Sequence, residues 1–244
     1  MIVALAGGVG GAKMAHGLAL AADPQSLTVV VNTADDFDHL GLRICPDLDT
    51  VMYTLGGVAN PLTGWGIAND SRTVLDAIVA RGGPDWFWLG DQDFATHILR
   101  TEALRNQKPL SEVMSGLCAG FGIRSTILPM SDDPVATMVT TRDGELTFQE
   151  YFVRRQQRDE VTAIHFAGVD RAVALPDALM AIRSAQTIVL TPSNPIVSIG
   201  PILAIDGFVD ALRSTEAARV AHQSDHRRKG TEGSCRPNAG VARP

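Results

Sequence analysis

A chain of 244 residues with 45% hydrophobic content can bury one large core or two small ones, and its net charge of −6 withholds the basic face that a nucleic-acid backbone requires. No apolar run approaches the roughly 18 residues of a membrane span, and no basic stretch leads into a signal-like N-terminus, so the expected location is the cytoplasm, without membrane or nucleic-acid partners. Cys45, Cys118 and Cys235 lack C-x-x-C spacing and read as reduced thiols.

The apolar run 2–6 reads as a buried strand, broken by the glycines of 7–11 before a helical stretch over 12–22. A second buried strand follows at 27–32, and strand, glycine turn, helix and strand in that order make a βαβ unit. Further helices are predicted at 71–81, 95–105, 110–119 and 176–185, and strands at 86–89, 126–128 and 187–190. Around Asp143-Gly144, segments 136–141 and 145–152 suit a hairpin closed by an Asp-Gly turn. The fold class is therefore α/β, Rossmann-like, with a mainly parallel sheet flanked by helices. One domain is expected over 1–221, with a small hairpin and helical insertion at about 135–175.

The clearest local signal is Gly7-Gly8-Val9-Gly10-Gly11-Ala12-Lys13, where residues without side chains let backbone N–H groups approach an anion at a helix N-terminus. Ala12 and Met14 around the lysine rule out a Walker A loop, and Lys13 stands where the dinucleotide pattern needs its last glycine. The plainer alternative is a tight strand-to-helix turn. Acidic residues gather after the second strand, at Asp35, Asp36 and Asp38, and again at Asp47 and Asp49. Loops leaving the carboxyl ends of strands line the crevice of an open α/β sheet, so these carboxylates can face the glycine loop. Carboxylates beside a phosphate call for a cation, and Mg²⁺ is commonly held by one or two carboxylates with substrate phosphates. The alternative is solvated loop residues and helix caps, which fits Asp38 better than Asp49.

Two further loops follow strand-like runs: 90–93, containing Asp91 and leading to His97, and 129–134, containing Asp132. His97 is a proton carrier, a clamp for a substrate oxygen, or a satisfied structural histidine; the Asp132 loop is equally readable as a cap or turn. The stretch 191–201 carries Ser193, Asn194 and Ser198 between stiffening prolines and suits phosphate oxygens. Neither a Ser-His-Asp order nor a G-x-S-x-G elbow supports acyl transfer.

Taken in order, the loop 7–13 and the stretches 29–36, 46–55, 64–67, 89–93, 95–97, 128–134 and 193–201 resemble the 2-phospho-L-lactate transferase family of deazaflavin-coenzyme biosynthesis, from the first residues to about Leu212. The resemblance implies transfer of a phosphate-linked three-carbon acid from a guanylyl diphosphate donor to the side-chain hydroxyl of the deazaflavin Fo, with release of GMP. It implies that Asp49 contacts Fo and shares Mg²⁺ with Asp35. The donor would be held by the glycine loop, with Gly8, Gly10 and Gly11, and by the loop carrying Ser193, Asn194 and Ser198; Asp47, Asp91, His97 and Asp132 would complete the binding residues. Trp88 stands where some archaeal members carry lysine, which replaces a charged contact by stacking. Family members are often dimers, so a homodimer is a further implication. The competing readings are a nicotinamide-dependent dehydrogenase, with Asp35 near a ribose-binding position, and a nucleotide-binding regulatory relative without activity.

The last segment departs from this pattern. From His222 to Pro244 there is no Leu, Ile, Phe or Met, and basic residues outnumber acidic ones, so the segment reads as a disordered tail. Back-translation with one base deleted after the Ala221 codon gives ISPIIAGKALKGPADRMLAWLG, which resembles the family's S-P-I-I-x-G-K-x-x-K-G-P-A motif. Residues 222–244 are thus expected to be a frameshift product. Sequencing the gene across the Ala221 codon is expected to recover that motif in a shifted frame; its absence from every frame overturns the reading.

Overall fold

Five short runs rich in valine, isoleucine, leucine and alanine lie side by side in the computed structural model, which describes residues 1–222. They are β1 (Ile2–Ala6), β2 (Leu27–Val31), β5 (Thr126–Pro129), β9 (Thr187–Leu190) and β10 (Ala218–Ala221), all parallel in the order β10-β9-β1-β2-β5. Successive side chains point to opposite faces, so each central strand feeds two cores. Val3, Leu5 and Val30 pack with Ile182, Ile202 and Phe208 from α6 (Pro176–Ser184), α7 (Gly200–Ala204) and α8 (Phe208–Ser214). Ala4, Ala6, Val29 and Val31 pack with Ala12, Val51 and Met114 from α1 (Gly8–Ala21), α2 (Pro46–Leu55) and α5 (Leu110–Gly120). This is the expected α/β class, a mainly parallel sheet flanked by helices.

Two antiparallel additions complete the described fold. A hairpin of β3 (Phe37–His39) and β4 (Leu42–Ile44) leads into α2 and sits beneath α3 (Thr73–Val79) and α4 (Asp91–Arg105), where Ile44, Leu75, Leu89 and Phe94 form a third cluster. A separate sheet of order β7-β6-β8 joins β6 (Ala136–Thr141), β7 (Gly144–Thr147) and β8 (Val161–Ala167). Cys45 and Cys118 are free and buried. No single helix among the described residues is long and apolar enough to cross a membrane.

The sequence misplaces several boundaries for physical reasons. Helix α1 begins at Gly8, not residue 12, because the glycines are packing positions within its first turns. The strand expected at 86–89 takes no place in a sheet. Trp86 and Phe87 instead pack edge-to-face or tilted against Phe37 and His39, at centroid distances of 4.8 to 5.9 Å for Phe37–Phe87, Trp86–His39, Trp86–Phe37 and Phe87–His39. The second hairpin strand stops at Thr147, whose N–H donates to the Glu150 carboxylate at 3.2 Å and turns the chain into a helical turn at Glu150–Arg154. Strand β8 and helix α2 carry no reading of their own in the sequence. The frameshift reading falls on residues 223–244, outside the described residues, apart from His222.

Gly10 is the tightest of these packing positions: an added Cβ would run into the backbone carbonyl of Pro192, just past the end of β9. Gly10→Ala is therefore expected to destabilise the protein by about 1–3 kcal/mol through overpacking, read by chemical denaturation. An unchanged midpoint contradicts this packing.

Candidate functional site

The carboxyl ends of β1, β2, β5 and β9 all open at one edge of the sheet, and the residues following them converge there. Between β1 and β9 the edge is closed by the protein itself. The Gly7 N–H donates to Ser193 Oγ at 3.1 Å, and the Ser193 hydroxyl donates back to the Gly7 carbonyl at 2.7 Å. Thr191 Oγ1 lies 2.8 Å from Ser193 Oγ and donates to the Leu5 carbonyl at 2.8 Å. Gly11 is packed against Ala6 and Ser193, and Ser198 lies against Gly7. The glycines thus serve first to bring two loops into contact.

Asp47 lies at the next point of convergence. Pro46 starts α2, which places Asp47 and Asp49 in its first turn, where the helix dipole favours acidic side chains. Asp47 accepts from the Gly8 N–H at 2.8 Å and from Asn32 Nδ2 at 2.9 Å; Asn32 Oδ1 accepts from the Ala34 N–H at 2.9 Å. A carboxylate therefore caps the N-terminus of α1, where the sequence suggested a phosphate. The Asp47 carboxylate occupies the Gly8 donor, and among the described residues no side chain caps Val9 or Gly10.

Asp35 and Asp36 follow β2 and are buried with little compensation. Asp35 Oδ1 and both oxygens of Asp36 have no hydrogen-bond partner among the described residues, and the nearest cation to Asp36 is Arg43 Nη2 at 3.9 Å. Burial, with repulsion from Asp47, pushes Asp35 well above the usual carboxylate range. Burial raises Asp36 to about 7 and Asp47 to about 6. A cleft of about 180 Å³ opens beside Asp36, lined also by Thr33, Arg43, Asp132, Asp133 and Val135, among others.

Asp49 is held in a buried ion pair. Both of its oxygens accept from Arg100 of α4, Oδ2 from Nη1 at 3.0 Å and Oδ1 from Nη2, and Arg100 is fully buried. Burial opposes the Arg100 charge, but Asp49 overcomes it and raises the guanidinium pKa further. His97, one helical turn earlier on the same face, places Nδ1 3.2 Å from Arg100 Nη1. Burial lowers His97 to about 4, so the ring is neutral.

The remaining candidates hold the scaffold. Asp91 caps α3, accepting from the N–H groups of Val74 and Thr73 at 2.9 and 3.2 Å and from the Ser71 hydroxyl at 2.7 Å. Asp132 caps α5 through the Ser111 N–H and hydroxyl, at 2.7 and 2.9 Å. Asn194 Oδ1 accepts from Ile196 and Val197 at the turn Pro195–Ile199. Trp88 meets Trp65 edge to face at 5.8 Å, beside a turn whose Gly64 packs on Val9 at the start of α1. The structure thus gathers Gly8, Asp35, Asp47 and Ser198 at the sheet edge and assigns Asp91, Asp132 and Asn194 to capping.

Sequence reasoning passed over Arg43 and Arg100, and gave no role to Asn32 and Asp93 within the stretches 29–36 and 89–93. The i,i+3 spacing of His97 and Arg100 on a helix was the available signal for one of them. Asp93, raised by burial and by Asp49 to about 6, sits one turn before His97 on α4.

Asp35, Asp36 and Asp47, the last partly relieved by hydrogen bonds, are buried near one another at this edge. No group of three or more His, Cys, Asp or Glu among the described residues is arranged to hold a metal alone. A cation there would take further oxygens from a phosphorylated ligand.

A family model described as 2-phospho-L-lactate transferase CofD matches residues 2–232. The phosphoenolpyruvate transferase of Streptomyces griseus is 50% identical over 216 residues, covering 86% of this chain and 68% of the relative. That of Mycolicibacterium smegmatis is 44% identical over 237 residues, covering 91% and 72%. A crystal structure of an upf0052 family member from Bacillus halodurans shares the fold, with a TM-score of 0.63 at 20% identity over 90% of this chain and 67% of that one.

The raised carboxylate pKa values have a sign that can be tested. An acid that holds its proton more tightly folded than unfolded stabilises the protein increasingly as pH falls from about 7 toward the unfolded value near 3.9. Without divalent cations, the thermal midpoint is expected to rise between about pH 8 and 5.5, and Asp47→Asn to flatten part of that rise. A falling midpoint, or an unchanged slope in the variant, contradicts the placement of these groups.

Proposed function

The chain belongs to the 2-phospho-L-lactate transferase CofD family, and from that premise we propose that it transfers a phospho-acid moiety from a guanylyl diphosphate donor to the side-chain hydroxyl of Fo, releasing GMP. The chain is a transferase, which sets aside the dehydrogenase reading. The names of the relatives, phosphoenolpyruvate transferases at 44 to 50% identity, support the enolpyruvyl form of the acid over the lactyl form. In the reaction, the hydroxyl oxygen of Fo bonds to the phosphorus bearing the acid. The bond from that phosphorus to the bridging oxygen breaks, GMP leaves with the electron pair, and the hydroxyl proton is taken up by the released phosphate.

The observation that carries this reading is the crowding of Asp35, Asp36 and Asp47 at the sheet edge, with Asp35 Oδ1 unpartnered. Such a group is costly unless a cation neutralises it. Asp35, with the donor's phosphates, is the carboxylate suited to hold Mg²⁺, which when bound supplies neutralisation of the diphosphate charge. Asp49 is committed to Arg100, which favours a role in fixing α2 over direct metal binding. The N–H groups of Val9 and Gly10 at the start of α1 suit a phosphate oxygen beside the Asp47 cap. The Trp65–Trp88 pair, next to that helix start through Gly64 and Val9, suits a planar ring.

The test incubates the 244-residue chain, and its frame-corrected counterpart, with Fo, an enolpyruvyl-diphosphoguanosine donor and Mg²⁺. GMP release matched by phosphorylated Fo is expected, with Asp35→Asn at least about 10²-fold slower. Nucleotide binding without transfer in both proteins supports the regulatory reading instead, and an Asp35→Asn variant with unchanged rate and metal dependence removes Asp35 from the site.

A further inference from the structure

His97 is enclosed by charge on one side. Arg100 Nη1 lies 3.2 Å from His97 Nδ1, 3.0 Å from Asp49 Oδ2 and 3.4 Å from the Arg43 carbonyl, and the guanidinium has no exposure at all. A guanidinium is always protonated and only donates, so His97 Nδ1 must be the acceptor in this contact. The alternative, Nδ1–H donating to Asp49 Oδ2, would have to span 3.7 Å and would turn a hydrogen toward the Arg100 donor. A neutral imidazole whose Nδ1 accepts carries its proton on Nε2. The low pKa of His97 agrees with a neutral ring, since a charged imidazole would stand against Arg100 with little solvent to relieve it.

The consequence concerns what His97 can do. His97 is almost wholly buried, and Nε2 hydrogen-bonds to no described residue, so its hydrogen is the ring's free donor among the described residues. A base needs an unshared pair facing the proton it removes. The pair on Nδ1 is held by Arg100, and Nε2 already bears hydrogen.

We propose that Arg100 is a positioning residue that locks His97 in the Nε2–H tautomer, so that His97 donates a hydrogen bond to a phosphate or carboxylate oxygen of the substrate and does not serve as the base of the transfer. The substrate part rests on the phospho-acid transferase reading; the tautomer is a property of the protein alone.

The two parts are tested separately. Long-range proton–nitrogen correlation spectra of the uniformly ¹⁵N-labelled 244-residue protein at neutral pH report the tautomer directly, with His97 assigned by its loss in His97→Gln. A pyridine-like Nδ1 and a pyrrole-like Nε2 are expected, and Arg100→Lys, which keeps the charge beside Asp49 but loses the planar fork, is expected to give a mixture of tautomers. An Nδ1–H tautomer in the unaltered protein, or an unchanged His97 signature in a folded Arg100→Lys variant, overturns the positioning role whatever the activity. The spectrum of the unaltered protein decides the tautomer even if Arg100→Lys fails to fold. In the transfer assay, glutamine places an amide N–H where Nε2–H stood. His97→Gln is therefore expected to be at least about tenfold faster than His97→Ala, because one positioned donor is retained. Equal loss in both variants overturns the donor role. Absence of transfer in the unaltered protein falls on the functional reading and leaves the spectroscopic result standing.

Discussion

Five aspartates, Asp35, Asp36, Asp47, Asp49 and Asp93, are buried near one edge of the sheet, while Arg100 is the fully buried cation among the described residues. Removing that much negative charge from water is unfavourable unless each carboxylate is paired, hydrogen-bonded or protonated. The fold answers residue by residue. Asp49 receives the guanidinium, Asp47 receives the Gly8 and Asn32 donors, and Asp35 and Asp36 retain raised pKa values and unpartnered oxygens. What is left uncompensated is what a cation with a phosphorylated substrate would complete.

The parallel sheet makes this concentration unavoidable. Every strand in it delivers its following loop to the same edge, so the residues after β1, β2, β5 and β9 meet regardless of their separation in sequence. The close contact of the glycine turn with the loop 191–198 then leaves backbone donors, an Asn32 amide and carboxylates as the polar furniture of the site. Family membership gives that furniture a reaction, and the buried pair of α2 and α4 gives it rigidity, because α2 carries Asp47 and Asp49 while α4 carries His97 and Arg100.

Much of the scaffold was legible in the sequence. The runs 2–6, 27–32, 126–128 and 187–190 are short, apolar and rich in β-branched residues, and they form the strands they suggest. The helix at Pro46–Leu55 was not read, although proline in its first turn followed by Asp47 and Asp49 is a start signal; the acidic side chains drew attention as ligands instead. The aromatic run 86–89 imitated a strand because side-chain type alone does not reveal whether a ladder partner exists. For the candidate site, the sequence named loops that the sheet brings to one edge but could not tell a cap from a ligand. Asp91, Asp132 and Asn194 look like binding residues in one dimension and prove to satisfy helix or turn N–H groups in three, and Arg100, remote from Asp49 in sequence, was invisible until the helices packed.

In the proposed reaction the uncompensated carboxylate at Asp35, and not the paired one at Asp49, meets the cation that accompanies the donor. Crystals grown with GDP and Mn²⁺ in place of Mg²⁺ test it through the anomalous signal of manganese. The expected result is one manganese bonded to Asp35 and to diphosphate oxygens, with Asp49 still held by Arg100. Manganese on Asp49 with that ion pair broken, or diphosphate bound with no metal at Asp35, contradicts it.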